Sequence, residues 1–128
     1  MVRTARWLPI LMPTYSESSQ KLLFVCSRNR LRSLSAEKLF EGAPGYEARS
    51  AGTQSNARIV LTAGHLGWAD LVFVMEKSHL NRIRLKFPEL AGERRIITLF
   101  IPDDYEFMQP ELLDELRAKL APYVTVPE

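Results

Sequence analysis

The chain is poor in the residues that build metal centres and disulfide scaffolds. It has one cysteine, Cys26, and two histidines, His65 and His79, among 128 residues. A single cysteine permits no intrachain disulfide and no cysteine-based zinc site. The histidines lack metal-ligand spacing, and each reads as a structural or solvated side chain. Charge of one sign is scarce as well. Lys and Arg number 17 against 15 Asp and Glu, a net charge of +2, which gives no argument for nucleic acid or an anionic membrane as partner. Long apolar runs are also missing. Trp7 to Met12 is broken by Pro9 and stopped by Pro13, too short for a bilayer span and without a signal-peptide core. With no disulfide and no export signal, the expected compartment is the reducing cytoplasm. Residues 1–20 read as a loose N-terminal extension ahead of one domain over 21–128.

What is present suits a globular enzyme-sized domain: 46% hydrophobic and 25% charged residues, in a chain long enough to bury its own core. Leu22 to Cys26 is a continuous apolar run, the pattern of a parallel strand covered on both faces. Ser33 to Phe40 reads as a helix stopped by Gly42, Pro44 and Gly45. Tyr46 to Ser50 predicts a short strand, and about Asn56 to Leu66 a helix weakened by Gly64. Leu71 to Met75 is a second buried strand. Ser78 is a cap for a helix carrying Leu80, Ile83 and Phe87, closed by Pro88 and Gly92. Arg95 to Ile101 predicts another strand, and Pro110 the first turn of a last helix with Leu112, Leu113, Leu116 and Leu120 inward. Strands alternating with helices predict an α/β fold: a four-stranded parallel sheet, flavodoxin-like and doubly wound, with helices on both faces. Ligands of such sheets bind beyond the carboxyl ends of the strands, where Cys26 and Asp103 both fall.

The chemistry concentrates in Cys26-Ser27-Arg28-Asn29-Arg30-Leu31-Arg32-Ser33. The residues between Cys26 and Arg32 can curl so that their N–H groups converge on an anion. The following helix adds its own unpaired N–H groups and the positive end of its dipole. Arg32 can return to grip two phosphate oxygens with its planar fork. Cys26 at the base of this positive cup is favoured as thiolate and stands ready for in-line attack on phosphorus. The plain alternative is a small buried hydrophobe at a strand end. Ester cleavage also needs an acid for the leaving oxygen and a base for water, and one carboxyl group can serve both. Asp103 and Asp104 are the candidates; an Asp pair after proline also makes ordinary turns. Tyr105 and Phe107 either flank an aromatic substrate or belong to the core. The cations between Lys77 and Lys86 read as a solvated face, or as a set from which Arg82, Arg84 and Lys86 guide acidic substrates.

Phe24-Val25-Cys26, Asn29, Arg32-Ser33 and Ala36-Glu37 resemble the signature of the low-molecular-weight protein tyrosine phosphatases. Ser50-Ala51-Gly52-Thr53 and Asp70 to Met75 resemble that family's later motifs, so the likeness covers about residues 21–122. The resemblance implies Cys26 as nucleophile through a cysteinyl-phosphate, Arg32 as phosphate ligand, Asn29 as brace and Ser33 as hydrogen-bond donor to the sulfur. It also implies that Ser27, Arg28, Arg30 and Leu31 contribute to the phosphate loop and Tyr105 to substrate binding. Asp103, two residues before Tyr105, is implied as the acid, with Asp104 as the alternative. The implied substrate is a phosphorylated protein, phosphotyrosine foremost, or a small phosphomonoester; no metal or organic cofactor is implied.

The likeness is imperfect. Arg28 stands where glycine is usual, which either strains the loop or turns the side chain outward to widen the positive field. Leu31 replaces a second cysteine common in the family, so no intraloop disulfide can shield Cys26 from oxidation. Leu34 replaces a proline. The segment from Gly52 to Trp68 is short, implying a shallower, more open pocket. Two further readings remain at this point: a non-catalytic phosphate-binding module, and an arsenate reductase that would need a partner thiol. Oligomeric state stays open.

Overall fold

The computed structural model describes residues 19–128; most of the expected N-terminal extension lies outside these. Strand β1 (Gln20–Cys26) is the hub of a four-stranded sheet of order β2-β1-β3-β4, completed by β2 (Tyr46–Gly52), β3 (Leu71–Val74) and β4 (Arg95–Thr98). All pairings are parallel, and β1 starts at Gln20, opposite Tyr46, two residues before the apolar run begins.

Alternation along β1 explains the two-layer burial. Leu22, Phe24 and Cys26 face one side and pack with Phe73, Met75 and Ile97 against helices α1 (Arg32–Leu39) and α5 (Pro110–Leu120). Leu23 and Val25 face the other, with Val72 and Val74, under α2 (Ala63–Trp68), α3 (Lys77–Lys86) and α4 (Pro88–Glu93). This is the flavodoxin-like doubly wound arrangement that the alternation of elements predicts. Phe24 is its centre, with ring centroids 5.6 Å from Phe40 and 5.5 Å from Phe73. Each fully buried side chain of this size contributes roughly 1.5–3 kcal/mol. The chain leaves β1 one way to β2 and the other way to β3, so the switch point falls at the carboxyl ends of β1 and β3.

The sequence expectation fails in instructive places. Of the helix expected over Asn56 to Leu66 only Ala63 to Leu66 are helical, in α2. The earlier part is spent on main-chain pairing with the end of β2: Gly52 N–H donates to Ile59 O at 2.8 Å and Leu61 N–H to Gly52 O at 2.8 Å. Helix α2 begins only after Thr62, whose hydroxyl accepts from His65 N–H while its own N–H donates to His65 Nδ1, a reciprocal cap. Glu76, not Ser78, is the N-cap of α3. Pro88 opens α4 as its first residue, where its missing N–H costs nothing. The β4 ladder ends at Thr98, because Phe100 takes a φ of 57°.

Candidate active site

The loop between β1 and α1 is built from the outside in. A strap formed by residues 53–58 crosses its back and takes up four successive carbonyls. Thr53 N–H donates to Cys26 O (2.9 Å), Gln54 N–H to Ser27 O (3.0 Å) and Arg58 N–H to Arg28 O (2.9 Å). Arg58 Nε donates to Asn29 O at 3.1 Å. In a trans peptide each N–H points opposite to the preceding carbonyl. Turning these carbonyls toward the strap therefore turns the N–H groups of Ser27, Arg28, Asn29 and Arg30 away from it, the polarity an anion nest requires. The close approach explains Gly52: a Cβ there would lie 2.6 Å from Ser27 O and 2.6 Å from Ala57 Cβ.

Asn29 is the hinge of the loop. It is buried, and its φ of 58° lies in the left-handed region that asparagine tolerates. Its Nδ2 donates to Ser33 Oγ at 2.8 Å. Ser33 Oγ also lies 3.0 Å from Cys26 Sγ, and to a thiolate it is the hydroxyl that donates. The Asn29 N–H donates to Sγ at 3.3 Å. Arg28 keeps a negative φ and is exposed, so of the two expectations for this residue the outward one holds and the strained one does not. The left-handed residue of this loop is Asn29.

Arg32 is buried at the start of α1. Its Nη1 donates to Glu76 and, at 2.8 Å, to Ile101 O, while its Nε lies 3.6 Å from Asp103 Oδ1. Cys26, 4% exposed, joins Ser27, Arg28, Arg30, Leu31, Arg32, Gln54 and Asp103 around an open cavity of about 430 Å³. Asp103 is 62% exposed by side chain. Asp104 is exposed and does not line the cavity. Tyr105 does not line it either; it packs half-buried against the core beneath α1 and α5, and Phe107 is exposed. The apolar ring of Tyr105 finds more burial against that core than at an open, guanidinium-lined mouth.

Sequence reasoning missed two residues here. Glu76 lies just beyond the carboxyl end of β3, as Cys26 closes the carboxyl end of β1, so the strand-end rule that singled out Cys26 also points to it. His79, one turn into α3, is buried and spans the switch point. Its Nδ1 accepts the Glu76 N–H at 3.0 Å, which leaves the hydrogen on Nε2 to be donated to Ser27 Oγ, also at 3.0 Å. Burial first, then the nearby Arg32 cation, push its pKa down to about 4, against partial opposition from Glu76 and Asp103. His79 is therefore neutral near pH 7 and holds the Ser27 hydroxyl in one orientation. The family motifs have a structural side as well: Ser50 Oγ donates to Glu37 Oε1 at 2.5 Å, tying β2 to α1. Among the described residues, no cluster of His, Cys, Asp and Glu could hold a metal ion, and no helix is long and apolar enough to cross a membrane.

No protein-family model matches the sequence, and none of the curated proteins matches it. Solved structures do. A low-molecular-weight protein tyrosine phosphatase from T. tengcongensis is 24% identical with a TM-score of 0.64, over 83% of this chain and 100% of its own. The YwlE arginine phosphatase from Geobacillus stearothermophilus is 27% identical with a TM-score of 0.57, over 80% of this chain and 94% of its own. The tyrosine phosphatase Wzb from Escherichia coli K30, in complex with phosphate, is 21% identical with a TM-score of 0.66, over 82% of this chain and 96% of its own. By fold, then, the chain stands among phosphatases of the doubly wound class. More narrowly, it has the fold of the low-molecular-weight protein tyrosine phosphatases, in agreement with the resemblance carried by its motifs.

Proposed function

We propose that the chain is a cysteine-dependent phosphomonoesterase acting on phosphorylated protein, with phosphotyrosine the foremost substrate, in the cytoplasm. The observation that carries this reading is the environment of Cys26 Sγ, which receives the Ser33 hydroxyl at 3.0 Å and the Asn29 N–H at 3.3 Å on the floor of a cavity shared with Arg32 and Asp103. With the phosphate cradled by the loop N–H groups, Ser27 and Arg32, the sulfur attacks phosphorus in line. The S–P bond forms as the ester P–O bond breaks, and Asp103 gives its proton to the departing oxygen. Asp103, now a carboxylate, takes a proton from water, which attacks phosphorus. The sulfur leaves as thiolate, received again by Ser33. Arg28 and Arg30 at the mouth favour anionic substrates. The thiolate, guanidinium and main chain supply the charge this sequence of steps needs without a metal.

Replacing Cys26→Ser tests the reading. Hydrolysis of p-nitrophenyl phosphate and of a phosphotyrosyl peptide falls by roughly four orders of magnitude or more, while inorganic phosphate still binds. Turnover surviving in that variant rejects the nucleophile; phosphate binding with no turnover in the wild type supports the binding-module alternative instead.

A further inference from the structure

A second cleft, of about 510 Å³, lies between the strap and the far half of α3, with Leu61, Ile83, Leu85 and Phe87 apolar and Arg82 and Lys86 charged. Its size falls in the range of sites that hold side chains or small ligands. Leu85 is 85% exposed. A lone exposed leucine needs no explanation, but this one stands at a cleft between two cations. No carboxylate of the described residues makes an ion pair with Arg82, Arg84 or Lys86. The cleft and the phosphate cavity share a wall: Thr53 lines the first and Gln54 the second, and consecutive Cα atoms are about 3.8 Å apart.

We propose, building on the phosphatase reading, that this cleft is a substrate-docking groove. Its occupant is an apolar side chain of the protein substrate, one to three residues from the phosphorylated one, with an acidic neighbour meeting Arg82 and Lys86. An extended chain advances about 3.3–3.6 Å per residue, so a polypeptide whose phosphate sits over Cys26 crosses the Thr53-Gln54 wall within that span. The apolar surface supplies affinity and the cations select sign. A small phosphate ester uses the cavity alone and is indifferent to the groove.

The test compares two phosphotyrosyl peptides, one flanked on both sides by Leu and Glu, the other by Gly and Lys, in wild type and in Leu85→Glu and Lys86→Glu variants. The wild type is expected to favour the first at least about tenfold in kcat/KM. Both variants should lose most of that preference while hydrolysing p-nitrophenyl phosphate within about twofold of wild type. Equal use of the two peptides, or a preference that survives both substitutions, overturns the groove. Binding of the same peptides to Cys26→Ser separates the two proposals. Selective binding without wild-type turnover keeps the groove and removes the phosphatase, whereas turnover without selectivity does the reverse. A wild-type dimer that Leu85→Glu converts to monomer assigns the surface to a second copy of the chain and ends the proposal.

Discussion

The two walls of the phosphate cavity are made differently. On one side, residues 26–33 are locked: four carbonyls are held by the strap, Asn29 and Ser33 are buried and bonded, and Arg32 is pinned by Glu76 and Ile101 O. On the other, Asp103 stands largely in solvent, tied to the rest only by its approach to Arg32 Nε. The locked wall has donors oriented before any ligand arrives, which is where electrostatic stabilisation is worth most. In the proposed mechanism the open wall carries Asp103, the group that exchanges protons with a leaving oxygen and with water, and solvent access suits that task.

The largest expected effect that sharpens this contrast lies on the open wall. Asp103→Asn should lower turnover of a phosphotyrosyl peptide by roughly 10²–10⁴ and that of p-nitrophenyl phosphate much less, because the better leaving group needs less protonation. Thermal stability should hardly change, since exposed ion pairs contribute little. If Asp104→Asn produces that pattern and Asp103→Asn does not, the acid is misassigned.

Next comes Gly52→Ala, which strikes the locked wall from behind. The added Cβ has only backbone and Ala57 to displace, so a loss of about 1–3 kcal/mol is expected, read by denaturant titration. Activity should fall along with it as the strap lifts from the loop. A variant of wild-type stability and activity would show that the strap is not what holds the carbonyls outward.

The smallest effect is pH dependence through His79. The unfolded chain takes up the imidazole proton near the ordinary value of 6.5, the folded chain only near about 4. Unfolded molecules therefore bind more protons between these values, and stability present at neutral pH is lost as pH falls through that window. In His79→Gln the melting temperature should fall less steeply between pH 6.5 and 4 than in wild type. Equal slopes would mean that the folded histidine protonates as freely as the unfolded one.

The sequence made some parts of this molecule plain and hid others for definable reasons. Buried parallel strands announce themselves as apolar runs, so the sheet was legible, and the Cys26–Ser33 spacing is local, so it marked the loop that the structure places between β1 and α1. Asn56 to Leu66 was misread because composition allowed a helix and only the proximity of β2 and the loop made main-chain pairing the better use of its N–H and C=O groups. Tyr105 reads as a substrate contact by its place beside Asp103; its ring instead finds apolar cover under the helices.

By itself the sequence determined the order of the four strands, the two apolar faces of β1 and the loop that joins β1 to α1, because each depends on spacings of a few residues. Only the tertiary structure decided that Glu76 would pin Arg32, that His79 would be neutral and aimed at Ser27, and that the strap would turn the loop carbonyls outward. Those outcomes join residues 27 to 52 positions apart. Protonation and hydrogen-bond direction at such distances follow from burial and neighbouring charge, which exist only once the chain has folded.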